Sequence, residues 1–241
     1  MNSTQKIVAL LCSGWVFGCG RQFPPVEHHV DVSQEQSEES GDFSQGVLAP
    51  DFELLSLSGE KTVRLRELIG QRPVVLIFGA YACSPFRRQM GAVNRLYEKF
   101  VNDVDFLLVY GREAHTEDGI QSAYNREDGV LFNQPKTFQE RCLIALRFCE
   151  QQHVTMPVVV DDMKDSVTRA YEGFPARMYV IDGDGKIYFQ SDWGPSGYMP
   201  TLLKAMIEEL LEAVPRKRGG ASSLGVSVTS MGTLQLVRRV G

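Results

Sequence analysis

Between residues 47 and 214 the chain alternates short apolar runs with stretches of helical periodicity. Residues 73–79 (PVVLIFG) and 104–110 (VDFLLVY) are nearly continuous apolar runs, the pattern of strands buried on both faces. Residues 52–57, 157–160 and 177–181 read as further strands. Asp182-Gly183-Asp184-Gly185 is a hairpin turn signal, with residues 187–190 as the returning strand. Phe86, Met90, Val93, Tyr97, Phe100 and Val101 fall near helical spacing and predict a helix over 86–101. Phe138, Cys142, Ala145 and Cys149 mark one face of a second helix. A short helix is expected near 164–171 and a last one over 199–213. Such alternation implies an α/β fold, a sheet with helices on both faces. Residues 111–136 lack clear periodicity. A compact domain rarely carries so long a connection unless the connection is functional.

The two ends read differently. Lys6 precedes an apolar stretch, residues 7–18, too short to span a bilayer, which needs roughly 20 residues. It ends in Val16-Phe17-Gly18-Cys19, which resembles a bacterial lipoprotein box with Cys19 as the lipidated residue; Phe17 departs from the usual pattern. A cleaved signal or an uncleaved anchor is the alternative for residues 1–19. Residues 20–46 are acidic and rich in Ser and Gln, with too little apolar surface to offset chain entropy, and read as a disordered linker. His28 and His29 lie inside it and are read as linker, not as metal ligands. Residues 215–241 are Gly/Ser-rich and basic, a flexible tail. The 47–214 segment is therefore the folded domain, held off a membrane surface in the cell envelope, outside the cytoplasm.

The chain is 43% apolar, enough for a sizeable core, and its net charge of -5 gives no reason to expect a nucleic-acid partner. The five cysteines, at 12, 19, 83, 142 and 149, form no C-x-x-C pair and no Cys/His cluster of zinc spacing. Cys83 falls where the central strand meets the first long helix. Ser84 suits an N-cap and Pro85 a first turn. Helix dipole, Arg87 and Arg88 all favour a thiolate there, so a pKa below the free value of about 8.5 is expected. The competing reading is a small core residue at a strand end. Cys142 and Cys149 stand two turns apart on one helix, about 10.5 Å along its axis. They cannot bridge each other there. Either packs in the core or resolves an oxidised Cys83. Phe86 stands where thioredoxins carry their second cysteine.

The stretch Gly79-Ala80-Tyr81-Ala82-Cys83-Ser84-Pro85-Phe86 resembles the active-site stretch of iodothyronine deiodinases, in which selenocysteine, or cysteine in some relatives, precedes a Pro-Phe-containing helix start. Asp105-Phe106-Leu107-Leu108-Val109-Tyr110, then Glu113-Ala114-His115 and Asp118-Gly119, is similar to a second and more specific family stretch. Val159 to Met163, Pro175 to Ile181 and Gly194 to Tyr198 follow in matching order and spacing. The resemblance spans about residues 47–213, and its lead-in, Ala49-Pro50-Asp51-Phe52, is similar to redoxins generally. It implies a thioredoxin-like fold with a central mixed sheet, for which a hairpin before the last helix is also the expected layout.

The resemblance further implies roles. Cys83 stands at the selenocysteine position and would attack a soft centre: iodine, peroxide oxygen or sulfur. Glu113 and His115 would deliver protons or hydrogen-bond substrate. Pro175 stands where thioredoxin folds place a cis-proline facing the active cysteine, with Arg87 and Arg88 nearby. No cofactor is implied beyond an external thiol reductant, and no metal. The expected partners are a small-molecule substrate, that reductant and the membrane, with a homodimer as a further candidate. Pro135 stands where some members have a second histidine, and Tyr81 and Ala82 replace small or hydroxyl residues. The sequence thus favours reductive dehalogenation of an iodinated phenol. The alternatives are a peroxiredoxin-like or thioredoxin-like oxidoreductase and a non-catalytic surface lipoprotein. Ala80 stands where the peroxiredoxin frame requires threonine.

Overall fold

The computed structural model describes residues 45–70 and 72–213, apart from the side chains of 195 and 196. The targeting segment with Cys19, nearly all of the linker, including His28 and His29, and the basic tail lie outside the described residues. The elements are β1 (Glu53–Ser56), β2 (Thr62–Arg64), α1 (Leu65–Leu68), β3 (Val74–Gly79), α2 (Ser84–Phe100), β4 (Asp105–Tyr110), α3 (Ala123–Glu127) and α4 (Phe138–Gln151). They continue with β5 (Val158–Val160), α5 (Ser166–Ala170), β6 (Arg177–Ile181), β7 (Ile187–Gln190), α6 (Gly194–Gly197) and α7 (Pro200–Ala213).

The strands form one mixed sheet in the order β2-β1-β5-β4-β3-β6-β7. β3 is central. It runs parallel to β4, from Val74↔Asp105 to Gly79↔Tyr110, and antiparallel to β6. β4 in turn runs parallel to β5. Every residue of β3 is buried because both faces of the sheet are covered, which is why its sequence is continuously apolar. Val75 and Ile77 face α2, α4 and α7 through Met90, Val93, Ala145, Phe148, Leu203 and Ile207. Val74, Leu76 and Phe78 face the opposite layer, with Leu65, Val167, Tyr171 and Tyr179. Each large side chain buried in this way contributes about 1.5–3 kcal/mol.

The expected strands and helices, the short α5 included, fall within two residues of their predicted positions. β2 and α1 were not expected. Their sequence, TVRLREL, has no periodic signal, and tertiary ion pairs hold it. Arg64 grips both carboxylate oxygens of Glu53, at 2.7 and 3.0 Å, and Arg66 pairs with Asp51 at 2.6 Å. The 182–185 turn forms as expected, with Asp182 Oδ1 accepting from the N–H groups of Asp184 and Lys186.

The 111–136 connection is a folded loop containing α3. Its two halves are tied by Glu117 N–H to Phe132 O (2.9 Å) and Gln134 N–H to Asp118 Oδ1 (3.0 Å). Parallel strands β3, β4 and β5 end side by side, with Gly79 beside Tyr110 and Tyr110 beside Val160. The chain leaving β3 carries Cys83, and the chain leaving β4 carries Glu113 and His115. The sheet therefore delivers two segments thirty residues apart in sequence, one with Cys83 and one with Glu113 and His115, to one end.

Candidate active site

Gly79 closes β3 and cannot readily be another residue: a Cβ there would lie 2.4–2.6 Å from the Phe86 ring. The chain then turns, with Cys83 N–H donating to Ala80 O at 3.1 Å, and enters α2 when Arg87 N–H donates to Cys83 O at 2.9 Å. Cys83 itself is the N-cap, where Ser84 was expected to be, and Pro85 lies in the first turn.

Cys83 is only 2% exposed. The expected thiolate-favouring environment is present in part, but burial outweighs it. Desolvation pushes the thiol pKa up, the Phe86 N–H and the Arg87 guanidinium pull it down, and Glu113 pushes it up again. The expectation of a depressed pKa is thus corrected: a helix start lowers a thiol pKa, but a dry helix start does so against a larger opposing cost.

Arg87 is buried and does face this region. Its Nη1 donates to Tyr81 O (2.7 Å) and Asn125 Oδ1 (3.0 Å), and its Nη2 to Asp128 Oδ2 (2.6 Å). Arg88 points elsewhere. It lies over the Tyr124 ring at 4.1 Å and pairs with Asp128 at 3.4 Å, bracing the loop. One residue along a helix rotates the side chain by about 100°, which separates the two roles.

Glu113 is 2% exposed. Its Oε2 accepts from the Ala82 N–H at 2.7 Å, next to Cys83, and its Oε1 accepts from the Tyr110 hydroxyl. Tyr110 Oη also accepts from the Tyr81 N–H at 3.1 Å. Burial pushes the Glu113 carboxyl up to about 7, against these hydrogen bonds and the charge of Arg141, all of which pull it down. A carboxyl in that range exchanges a proton readily near neutral pH.

His115 is half-buried on the same loop, its Nδ1 at 2.9 Å from Ile120 O. A carbonyl only accepts, so Nδ1 carries the hydrogen, and in the neutral ring Nε2 is the basic nitrogen. Pro175 follows a cis peptide bond, as the resemblance implied, and stands just before β6, whose Arg177 pairs with Phe78 of β3. It belongs to the same end of the sheet.

Cys142 and Cys149 lie on α4, and burial pushes both thiols up to about 12. Cys83, Cys142 and Cys149 are all free. Cys149 is close enough to Tyr110 to influence its hydroxyl.

Sequence reasoning missed two residues here. Asn125 is fully buried; its Nδ2 donates to Ala82 O (2.8 Å) and His115 O (3.0 Å), while its Oδ1 accepts from Arg87. Gln134 brackets the Glu113 backbone, accepting from its N–H at 3.1 Å and donating to its carbonyl at 2.9 Å. Both sit in an aperiodic loop, where no local signal marks an amide as buried.

A cavity of about 470 Å³ opens in the loops at the β4 end, with Arg112, Thr168, Arg169, Phe174 and Trp193 in its wall. Phe174 immediately precedes Pro175, and the Arg112 guanidinium lies 5.5 Å from its ring centroid. Among the described residues no three His, Cys, Asp or Glu side chains converge as metal ligands would.

A mixed sheet with a cysteine capping the helix that follows an inner strand, and a proline of the cis form before the neighbouring antiparallel strand, defines a thioredoxin-like domain. Solved structures bear out the fold. An uncharacterized conserved protein from Geobacillus kaustophilus superposes with TM-score 0.54 at 19% identity, covering 80% of this chain and 91% of that one. A solution structure from Bacteroides thetaiotaomicron, proposed to be a protein disulfide isomerase, gives 0.51 at 22% identity, covering 70% and 91%. The chain belongs to the iodothyronine deiodinase family, whose model matches residues 28–211. It is 32% identical over 164 residues to the type I iodothyronine deiodinase of Xenopus laevis, covering 68% of this chain and 63% of that protein. It is 33% identical over 178 residues to thyroxine 5-deiodinase of Homo sapiens, covering 72% and 57%. The chain therefore spans a little over half the length of these relatives.

Proposed function

We propose that this domain is a thiol-dependent oxidoreductase that removes iodine, or another heavy halogen, from a phenolic ring, with Cys83 as nucleophile. The observation that carries this reading is the convergence of Cys83, Glu113 and His115 at one end of the sheet in a chain of the deiodinase family. In the step proposed, the Cys83 sulfur attacks iodine and an S–I bond forms. The C–I bond breaks and leaves its electron pair on the ring carbon, which takes a proton from Nε2 of His115 in its protonated, imidazolium form. One molecule of external thiol then displaces iodide from sulfur, forming a mixed disulfide. A second releases Cys83 and leaves as the oxidised disulfide. In total, two thiols and one aryl iodide give one disulfide, one arene and hydrogen iodide.

Glu113 serves the first half of this sequence. Because burial holds the Cys83 thiol protonated, a group must take its proton before attack. A carboxyl with a pKa of about 7 alongside is suited to do so. We further propose that Cys19 carries lipid and tethers the domain to the outer side of a bacterial membrane.

The test is direct. The protein is incubated with dithiothreitol and 3,5-diiodo-4-hydroxybenzoate, and separately with dithiothreitol and hydrogen peroxide. Iodide release that depends on Cys83 is the expected result. Peroxide consumption without iodide release would replace this reading with a peroxidase.

A further inference from the structure

The reactive-thiol reading leaves one difficulty: the Cys83 sulfur is buried, and a buried thiolate needs donors. The α2 N-terminus supplies the Phe86 N–H, and the charged groups that face the sulfur are Arg87, which favours the anion, and Glu113, which opposes it. A further polar group stands in the same cluster. Tyr198 follows α6 and is 0% exposed. Its backbone is fixed at both ends, with N–H donating to Gly194 O at 3.1 Å and O accepting from Gln89 Nε2, on α2, at 2.7 Å. Its ring meets the edge of Phe86 at a centroid distance of 5.7 Å. Its hydroxyl, buried in the cluster that also holds Cys83, has no hydrogen-bond partner among the described residues.

An unpaired buried hydroxyl is unfavourable, because it has lost its hydrogen bonds to water. Replacing Tyr198 by Phe would remove that cost in the resting protein, unless the hydroxyl is used in another state. The one ionisable group whose charge it feels is Cys83. We infer that Tyr198 is a positioning residue for the nucleophile, whose hydroxyl donates a hydrogen bond to the Cys83 sulfur when that sulfur becomes a thiolate. In the protonated thiol state the sulfur is a weak acceptor and the hydroxyl idles. On ionisation it becomes a charge-assisted donor, which concentrates its benefit in the reactive form. This role rests on Cys83 being the reactive thiol.

The experiment measures alkylation of Cys83 by iodoacetamide against pH in the wild-type protein, Tyr198→Phe and Tyr171→Phe. Hydrogen bonds to charged groups contribute about 1.5–3 kcal/mol, so the Tyr198→Phe midpoint should rise by about one to two pH units. Tyr171→Phe removes a buried hydroxyl on the far face of the sheet, bonded to Pro50 O, and should leave the midpoint in place. An unshifted midpoint in Tyr198→Phe, or the same shift in both variants, overturns the inference. A second measurement needs no variant. With tyrosine carrying carbon-13 at Cζ, the Tyr198 resonance should titrate in step with Cys83 alkylation, and a resonance that does not move also overturns it. If Cys83 labels more slowly than Cys142 and Cys149, the reactive-thiol reading itself fails and takes this role with it. Fast labelling with an unshifted midpoint counts against Tyr198 alone.

Discussion

At the scale of single residues, the site is governed by how burial competes with hydrogen bonding. All three described thiols are raised by desolvation; Arg87 opposes this at Cys83 as Arg141 does at Cys142, but only Cys83 also has a helix-start N–H pulling it down. Limited alkylation near pH 8 followed by peptide mapping should label Cys83 first. Cys142 and Cys149 should label appreciably only after unfolding. Cys83→Ser should abolish reductive activity, since a serine hydroxyl is not ionised at neutral pH without an activating base. Glu113 gives a prediction with a definite sign. Its folded pKa of about 7 lies above the ordinary 4.5, so in that window the folded protein holds a proton that the unfolded chain has lost. Stability should therefore fall as pH rises from about 4.5 to about 7, by on the order of 3 kcal/mol from this group. Thermal melts across that range should show the decline in the wild type and a flatter profile in Glu113→Gln, which stays neutral. Legibility at this scale was uneven. Cys83, Glu113 and His115 could be named from local motifs, but the direction of the Cys83 pKa could not, because dryness is a property of neighbours distant in sequence.

At the scale of elements, the loop leaving β4 and the start of α2 behave as one unit, and Asn125 is the stitch between them. Its one side chain holds the carbonyls of Ala82 and His115 and the guanidinium of Arg87. Asn125→Ala should leave the sheet intact and lower turnover in the same direction as His115→Ala, by about 10²-fold or more if His115 loses its position. Circular dichroism and steady-state kinetics check this together; a full rate in a folded Asn125→Ala protein would reduce the loop to a cover. The aromatic packing behind the site has the same cross-element character. Phe148 of α4 lies 5.2 Å from the Phe86 ring, 5.8 Å from Tyr81 and 5.8 Å from Tyr110, tying α4 to the turn, the helix and the strand that form the site. The periodicity that placed 86–101 in a helix, and Phe138, Cys142, Ala145 and Cys149 on one face of another, reported most of their buried faces; Val101 is exposed and Leu96 is buried in its stead. It was silent on α1, α3 and β2, whose few residues are held by side-chain bonds to other parts of the chain.

At the scale of the whole molecule, the proposal is a catalytic domain on a tether. If Cys19 carries lipid, the protein should partition into the membrane fraction, and Cys19→Ala should release it or block its processing. Fractionation with mass analysis of the new N-terminus checks this; a wild-type chain found wholly soluble and without added lipid mass would end the idea. No helix among the described residues is long and apolar enough to cross a membrane. What the sequence by itself determined is what local physics encodes. Continuous apolar runs marked β3 and β4 as buried on both faces, 3.6-residue spacing marked α2 and α4, and an Asp-Gly-Asp-Gly turn marked the β6–β7 hairpin. A cysteine between a strand and a helix marked the thiol. Tertiary structure alone decided which strands are neighbours, and hence that the chain ends leaving β3 and β4 meet. It decided that Arg87 turns inward while Arg88 braces the loop. It also decided that Asn125 and Tyr198 are buried polar groups and that the thiol sits in a dry pocket. These outcomes depend on contacts between residues far apart in the chain, and the free energy of a buried polar atom is set by the partners the fold brings to it.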